Sequence, residues 1–187
     1  MTATQASSVN VTVDGDPNQI IKTPGGDFTF SDVYFEDYLL SRFDTNGDGG
    51  ISVAEALAVT QMDCSNMNIS SFDGMPGANG KSGIGAFENL AQLNCGNNNL
   101  TTLDLRQNTK LSVVYCNDNK LKNINVSYCP ALSWLYCPGN ELVKLDLSQN
   151  AALTVLDCTD NEKLNTVILN TGVSSSIVRK DGHTVIE

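Results

Sequence analysis

The chain has few basic residues, one histidine and no long apolar segment. Its 11 Lys and Arg face 21 Asp and Glu, which gives a formal net charge of −10. An acidic surface repels phosphate backbones, so nucleic acid is not an expected partner. No segment approaches the roughly 20 apolar residues of a membrane-spanning helix, so no membrane span is expected.

Catalytic motifs are also missing. The only histidine, His183, falls in a predicted terminal turn without a nucleophile at motif spacing. Neither a phosphate-binding glycine loop nor a zinc pattern occurs. Asp104 and Asp146 recur at one phase of a repeat, which indicates solvated repeat residues rather than a catalytic pair of carboxylates. The sequence therefore predicts a protein that is not an enzyme.

The start of the sequence lacks a signal peptide. Its first residues, MTATQASSVNVTV, have neither a basic region nor an apolar core. Either the protein is cytoplasmic or a signal was removed from this chain. Residues 1–29 are polar and broken by Pro17 and Pro24, so we expect a flexible leader. A short edge strand from Val9 to Val13 is the alternative.

A pattern of 21 residues recurs through residues 90–169. One cysteine stands at the same phase of each copy: Cys95, Cys116, Cys137 and Cys158. The copies read L-x-x-L-x-C-x-x-N-x-L-x-x-L-D-L-x-x-N. A fixed short period is typical of a solenoid, in which each coil buries its apolar side against its neighbours.

These cysteines, with Cys64 at the same phase, are predicted to be buried thiols. Equivalent residues of a parallel sheet stack about 4.8 Å apart with parallel Cβ vectors, whereas a disulfide needs Cβ atoms about 3.8 Å apart that point at each other. Cysteine then acts as a small apolar residue. The sixth, Cys129, falls where Asn108 and Asn150 stand in neighbouring repeats. Cysteine content therefore says little about the compartment.

Leucine and asparagine complete each coil. Apolar residues two positions before the cysteines predict a strand of period two: Leu93, Val114, Leu135 and Leu156. Asparagines recur three positions after the cysteines: Asn98, Asn119, Asn140 and Asn161. A buried amide at this turn can bond backbone groups of its own and the next coil. Residues 59–72 resemble a degenerate first repeat, and we expect an exposed inserted loop at 73–85.

Residues 44–55 fit the calcium-loop motif D-x-[DN]-x-[DN]-G-x5-E without a mismatch. The predicted ligands each supply oxygen at a fixed position: Asp44, Asn46, Asp48, Gly50 through its carbonyl, Ser52 and Glu55. Helical patterns flank the loop, and Ser31 or Asp32 can cap the first helix. An acidic turn that only connects two helices is the alternative. Because no second loop matches, we expect a single structural Ca²⁺ rather than a regulatory switch.

Side chains that alternate with the buried strand residues form a predicted concave face. Its middle column contains Asp63, Asn94, Tyr115, Tyr136 and Asp157. Trp134, the only Trp of the chain, adjoins Tyr115 and Tyr136. Neighbouring exposed aromatics are typical of binding surfaces, in which Tyr and Trp dominate the energy. The alternative is rings that lie on one another or under a loop. We expect ligand binding at Trp134 and the middle column.

The helix–loop–helix unit, the segment Met62-Asp-Cys64 and the repeats together resemble secreted or surface leucine-rich repeat proteins of Bacteroidetes-type bacteria with an EF-hand-like cap. They are similar, more distantly, to the internalins of Gram-positive pathogens. The resemblance implies an α/β solenoid, a right-handed leucine-rich-repeat coil with a short parallel β-sheet. The expected divisions are a helical cap at 30–58, repeats at 59–172 and a β-hairpin-like C-terminal cap at 173–187.

The resemblance also implies export, and therefore an extracellular, cell-surface or periplasmic location. We expect a monomeric, non-enzymatic module that binds protein or glycan through the concave face. The alternative is a structural spacer of a larger surface protein that has no ligand of its own.

Overall fold

The computed structural model describes residues 26–77 and 80–187, and within them the chain winds into a β-solenoid of about five turns. The elements in chain order are β1 (Thr29–Phe30), α1 (Val33–Phe43), α2 (Val53–Ala58), β2 (Gln61–Asp63), β3 (Gly74–Met75), β4 (Gln92–Asn94), β5 (Thr102–Asp104), β6 (Val113–Tyr115), β7 (Asn123–Asn125), β8 (Trp134–Tyr136), β9 (Lys144–Leu147), β10 (Val155–Asp157), β11 (Thr166–Leu169), β12 (Val178–Arg179) and β13 (Val185–Ile186). The predicted leucine-rich-repeat fold is confirmed.

The even-numbered strands from β2 to β12 form one six-stranded parallel sheet. Its register places equivalent residues of successive coils side by side, so Val113 pairs with Gln92 on one side and Trp134 on the other. In the second half of each coil, β5 pairs with β7, and β9, β11 and β13 form a three-stranded sheet. All of these pairings are parallel because every coil repeats the same path.

The core is filled by residues of one repeat phase stacked on those of the next. All six cysteines are free and buried, as the register of the strands requires. The prediction of buried thiols is therefore confirmed. In β4 only Leu93 points inward, between an exposed Gln92 and a half-buried Asn94. This alternation buries leucine, valine and cysteine together and removes their apolar surface from water.

Buried asparagines join neighbouring coils at the turn after strands β4, β6, β8 and β10. The Nδ2 atom of Asn119 donates to the carbonyl oxygens of Cys95 and Cys116, at 3.0 and 3.3 Å. Its Oδ1 atom accepts from the backbone N–H of Leu100 at 3.0 Å. Asn140 and Asn161 repeat these contacts one and two coils later. The amides thus bond their own coil and the preceding coil, which satisfies backbone groups that the bend would leave unpaired.

The two helices cover the first end of the solenoid. Asp32 caps α1, since its Oδ1 atom accepts from the backbone N–H groups of Tyr34 and Phe35 at 3.0 Å. Its Oδ2 atom accepts from the N–H and hydroxyl of Ser70, which ties the cap to the first repeat. Phe35 packs against Phe72 with ring centroids 4.7 Å apart. The cap therefore shares one core with the coils.

Two predicted boundaries need correction. The leader was expected to extend to residue 29, but Phe28 is 1% exposed and Thr29 pairs with Met75 in a small antiparallel sheet. Residues 1–25, with the possible strand from Val9 to Val13, lie outside the described residues. The insertion at 73–85 was expected to be an exposed loop, but Gly83, Ile84 and Gly85 are buried in a short 3₁₀ helix. Apolar Ile84 covers the core where the degenerate repeat leaves it open.

The C-terminal cap is also different from the prediction. A hairpin was expected about Asp181, because the Asp-Gly pair is a strong turn signal. Instead β12 adds to β10 and β13 adds to β11, both in parallel. Residues 178–186 therefore continue the coil as an incomplete further turn, with one strand on either side.

No helix in the described part of the chain has the length and apolar character that crossing a membrane requires.

Candidate functional site

The outward side chains of the six-stranded sheet form the concave face, and its middle column is built as the repeat predicts. The strand register aligns Asp63 with Asn94, Asn94 with Tyr115, and Tyr115 with Tyr136. Trp134 occupies the adjacent column, where it lies between Val113 and Val155. Five of the six predicted ligand-binding residues thus point out of one continuous face.

Three aromatic rings meet at the centre of this face. The ring centroid of Tyr115 lies 6.2 Å from that of Trp134 and 5.8 Å from that of Tyr136, with tilted planes. The two tyrosines are half-buried, whereas Trp134 is still 37% exposed. Tyr115 therefore contacts both of the other rings, and Trp134 still presents apolar surface to solvent.

A cavity of about 720 Å³ lies where the cap meets the concave face. Its lining joins predicted ligand-binding residues of the middle column to side chains of α1: Asp63, Asn94, Tyr115, Tyr38, Arg42 and Phe43. Arg42 was missed by sequence reasoning, because nothing in the repeat shows where the cap packs. The cavity runs from Tyr115, at the centre of the concave face, towards the N-terminal end of the solenoid.

Asp157 does not present its carboxylate as the sequence suggests. It is 4% exposed, and its Oδ2 atom lies 3.1 Å from Nη1 of Arg179. The hydroxyl of Thr159 donates to its Oδ1 atom at 2.8 Å. Arg179 stands beside Asp157 in the sheet register, so the exposed end of the middle column is a guanidinium. The repeat period could not predict this contact, because Arg179 follows Asp157 by 22 residues rather than 21.

A further column follows strands β4, β6, β8, β10 and β12 at the edge of the concave face, and we call it the rim. Its members stand 21 residues apart: Asn97, Asp118, Gly139, Asp160 and Asp181. The first four have a left-handed backbone, with φ between 50° and 66°, which suits Asn, Asp and Gly. Sequence reasoning missed the rim, although the period could have revealed it. Three of its five positions are carboxylates.

Asp118 is held in place on the rim. Its Oδ2 atom accepts from Nδ2 of Asn117 at 2.7 Å. A Cβ atom placed on Gly139 would lie 2.6 Å from its Oδ1 atom, so the carboxylate passes directly over the backbone of the next coil. Glycine at this position makes room for that carboxylate, in addition to accepting a φ of +66°.

The predicted calcium loop has the winding that its sequence suggests. The carboxylate of Asp44 accepts from the backbone N–H groups of Gly47 at 2.8 Å and Gly49 at 3.0 Å, and both glycines have positive φ. The side chain of Asn46 accepts from Asp48 N–H at 2.8 Å. Ile51 is buried in the core. Asp44, Asn46 and Asp48 thus lie on one tight turn.

Both carboxylate oxygens of Glu55 already accept hydrogen bonds from groups of the protein. Its Oε1 atom accepts from the N–H and hydroxyl of Thr45, at 2.7 and 2.9 Å, and its Oε2 atom from the N–H and hydroxyl of Ser52, at 2.9 and 2.7 Å. Burial alone would raise the pKa of Glu55, but these hydrogen bonds outweigh it and lower the pKa to about 2.

The residues therefore fit calcium in donor type and in backbone winding, while Glu55 closes the loop through its own hydrogen bonds. Among the described residues, no group of three or more His, Cys, Asp or Glu is arranged to hold a metal ion. To bind the ion with both oxygens, Glu55 would have to exchange hydrogen bonds with Thr45 at Oε1 and with Ser52 at Oε2.

The predicted calcium loop also contacts Gly26 and Asp27, which belong to the segment that was predicted to be the leader. Asp27 N–H donates to the Ile51 carbonyl oxygen at 2.9 Å, and its carboxylate accepts from Val53 N–H at 2.9 Å. A Cβ atom on Gly26 would lie 2.7 Å from the backbone nitrogen of Ile51. Sequence reasoning had no signal for this contact, because polar residues and glycine resemble any linker.

The comparisons with known proteins concern the fold. No protein-family model and no curated protein matches the chain. The crystal structure of an internalin, inlF of Listeria monocytogenes, has a TM-score of 0.54 at 17% identity, and the match covers 84% of this chain and 52% of that one. The functional domain of InlJ from the same organism, described as including a cysteine ladder, has a TM-score of 0.46 at 29% identity over 64% of this chain and 32% of that one.

The likeness to inlF shows that the chain adopts the solenoid fold of an internalin. The chain spans about half of the inlF structure and about a third of the InlJ structure. Fold alone does not assign a function, which depends on the side chains of the site.

Proposed function

We propose that this chain is a non-enzymatic binding module of a bacterial surface protein, and that it recognises a protein ligand through the concave face. The observation that carries the proposal is the cluster of Tyr115, Trp134 and Tyr136 at the centre of that face. Exposed Trp and Tyr beside polar groups are typical of interface hot spots. Trp134 remains 37% exposed although the ring of Tyr115 lies beside it, so a partner can still bury its surface.

The internalin fold of the structural neighbours supports this role and a location outside the cell, at the cell surface or in the periplasm. Repeat solenoids present extended concave surfaces that bind partners without catalysing a reaction. The thiols support a non-enzymatic role as well. Burial raises the pKa of Cys64 to about 12 and that of Cys95 well above its usual value, so neither is a ready nucleophile at neutral pH.

We further propose that residues 44–55 bind one structural Ca²⁺, for which Asp44, Asn46, Asp48, the Gly50 carbonyl, Ser52 and Glu55 supply oxygen. The winding of the loop around Asp44 supports this proposal. The ion would fasten α1 to α2 and leave the concave face unchanged.

The test of the binding role is capture from a panel of extracellular proteins and an array of glycans, followed by comparison of variants. Tyr115→Ala/Trp134→Ala/Tyr136→Ala should lose the captured partner and keep the thermal midpoint within a few degrees. Tyr128→Ala is the matched control, because Tyr128 is 62% exposed but lies outside the concave face. Partners that bind the triple variant normally would refute the proposal. A chain that captures nothing would favour the spacer.

A further inference from the structure

We infer that the concave face takes a basic, extended segment of a protein, with Lys or Arg side chains placed over Trp134 and along the rim. This inference rests on the proposed function and names the chemistry of the partner.

The aromatic centre provides the first half of the site. The ring of Tyr115 lies tilted against those of Trp134 and Tyr136, at 6.2 and 5.8 Å between centroids, and Trp134 keeps 37% of its surface exposed. A guanidinium or ammonium within about 6 Å of such a ring is attracted to its face, most strongly for Trp. Arg also stacks flat on an aromatic ring, which suits a partly exposed indole.

The rim provides the second half. Asp118 follows Tyr115 by three residues on the same coil, and its carboxylate is directed over Gly139, three residues after Tyr136. Asn117 holds one of its oxygens, so the charge is already positioned when a ligand arrives. Asp160 is exposed two coils further along the rim. Among the described residues, no ion pair engages Asp118 or Asp160.

The distribution of charge favours a cationic partner at this face in particular. Strands β2, β4, β6, β8 and β10, which carry the concave face, contain no Lys or Arg, and neither does the rim. Arg42 stands at one end, and Arg179 and Lys180 stand at the other, where Arg179 is paired with Asp157 and Nζ of Lys180 donates to the carbonyl oxygen of Asp181 at 3.2 Å. Lys122 and Lys144 lie on the other side, beside and within strands of the second half of the coil. A basic segment is therefore attracted to the centre of the concave face and to its rim.

The experiment uses the full chain and two fluorescein-labelled peptides, one rich in arginine and one in which citrulline replaces every arginine. Citrulline keeps the shape of the side chain and removes its charge. Anisotropy should show the arginine peptide binding at least about tenfold more tightly, and added salt should weaken it. The emission of Trp134 should change on binding, and it reports on this face alone because the chain has one Trp.

Matched variants separate a local site from general attraction to an acidic protein. Trp134→Ala should weaken the arginine peptide about tenfold, and Asp118→Asn about threefold or more. Asp146→Asn removes the same charge on β9, in the second half of the coil, and should leave binding unchanged. Equal losses in Asp118→Asn and Asp146→Asn, equal affinity for both peptides, or no binding of either peptide would overturn the inference.

A glycan or an uncharged protein that binds in a Trp134-dependent way would also overturn it. In that case the concave face would still be the binding surface. The failure of this inference is therefore distinguishable from the failure of the proposed function, in which Trp134→Ala changes the binding of no ligand at all.

Discussion

Asn150 donates its side-chain amide to the carbonyl oxygen of Cys129 at 2.9 Å, and the thiol of Cys129 donates in turn to the carbonyl oxygen of Asn108 at 3.5 Å. A second contact also repeats, since Asn150 Nδ2 reaches the Val126 carbonyl and Cys129 Sγ reaches the Leu105 carbonyl, at 3.0 and 3.4 Å. Cysteine therefore replaces asparagine in a second column of contacts between coils, and its single S–H lies within reach of the two equivalent carbonyl oxygens and donates to one of them at a time.

Cys129→Asn should accordingly be tolerated. The amide can donate to both carbonyl oxygens, while its Oδ1 atom would be buried without a partner as those of Asn108 and Asn150 are, so the free energy of unfolding should fall by no more than about 1–2 kcal/mol. Cys116→Asn is the contrasting variant, because it places an amide among leucines and should cost about 3 kcal/mol or more. Urea unfolding measures both. A Cys129→Asn loss as large as that of Cys116→Asn would contradict the shared role of Cys129 and Asn150.

All six thiols should resist modification in the folded chain. Each is buried, and burial raises the pKa of Cys129 to about 11 and that of Cys158 to about 12. Ellman's reagent at mildly alkaline pH should therefore titrate almost no thiol until denaturant is added, and then all six. Rapid modification of one or more thiols without unfolding would show that the coils open locally.

Glu36 should make the chain less stable as pH rises. It is 4% exposed with one carboxylate oxygen unpartnered, and burial together with Asp37 raises its pKa from 4.5 to about 7. The stabilising proton is fully present below the unfolded value and is lost as pH rises through the folded value. Glu36→Gln should thus be about 1–3 kcal/mol more stable than wild type near pH 8, and no more stable near pH 4.

Urea titrations of both proteins across that pH range measure this difference. Glu36→Gln and wild type with the same pH dependence would contradict the raised pKa. Glu55 acts in the opposite sense, because its lowered pKa gives stability that disappears only as pH falls from 4.5 towards 2.

Calcium should raise the thermal midpoint of the wild-type chain, and a chelator should lower it, because an ion that binds only the folded state stabilises that state. Asp44→Ala should show the same midpoint in both conditions, since it removes a ligand from the centre of the turn. Asp146→Ala is the control and should respond as wild type does. A wild-type midpoint that is the same with calcium and with chelator would refute the structural ion.

Much of the architecture could be predicted because the repeat keeps a constant period of 21 residues from Cys95 to Cys158. Cys95 and Cys116 stack because 21 residues return the chain to the same phase, and Leu93 is buried for the same reason. The pair of Tyr115 and Tyr136 at the centre of the concave face could be predicted in the same way, since these two residues also stand 21 residues apart. These predictions require only the length of the repeat and the polarity of the side chain at each position.

The remainder depends on contacts that break the period. Arg179 reaches Asp157 only because the last turn has a different length, and Phe28 enters the core from a segment that resembles a linker. Glu55 bonds Thr45 and Ser52 within a loop whose sequence equally suits an ion. In each of these examples the local sequence is compatible with more than one contact. Which contact forms depends on how distant parts of the chain pack together.

The binding role of Trp134 is tested most directly by the dissociation constants of Trp134→Ala and Tyr128→Ala for the extracellular protein that the wild-type chain captures. Both variants remove an exposed aromatic ring, and only Trp134 belongs to the concave face. We expect binding at least about tenfold weaker for Trp134→Ala and unchanged for Tyr128→Ala, at equal thermal midpoints. Equal affinity of Trp134→Ala and wild type would contradict recognition through the concave face.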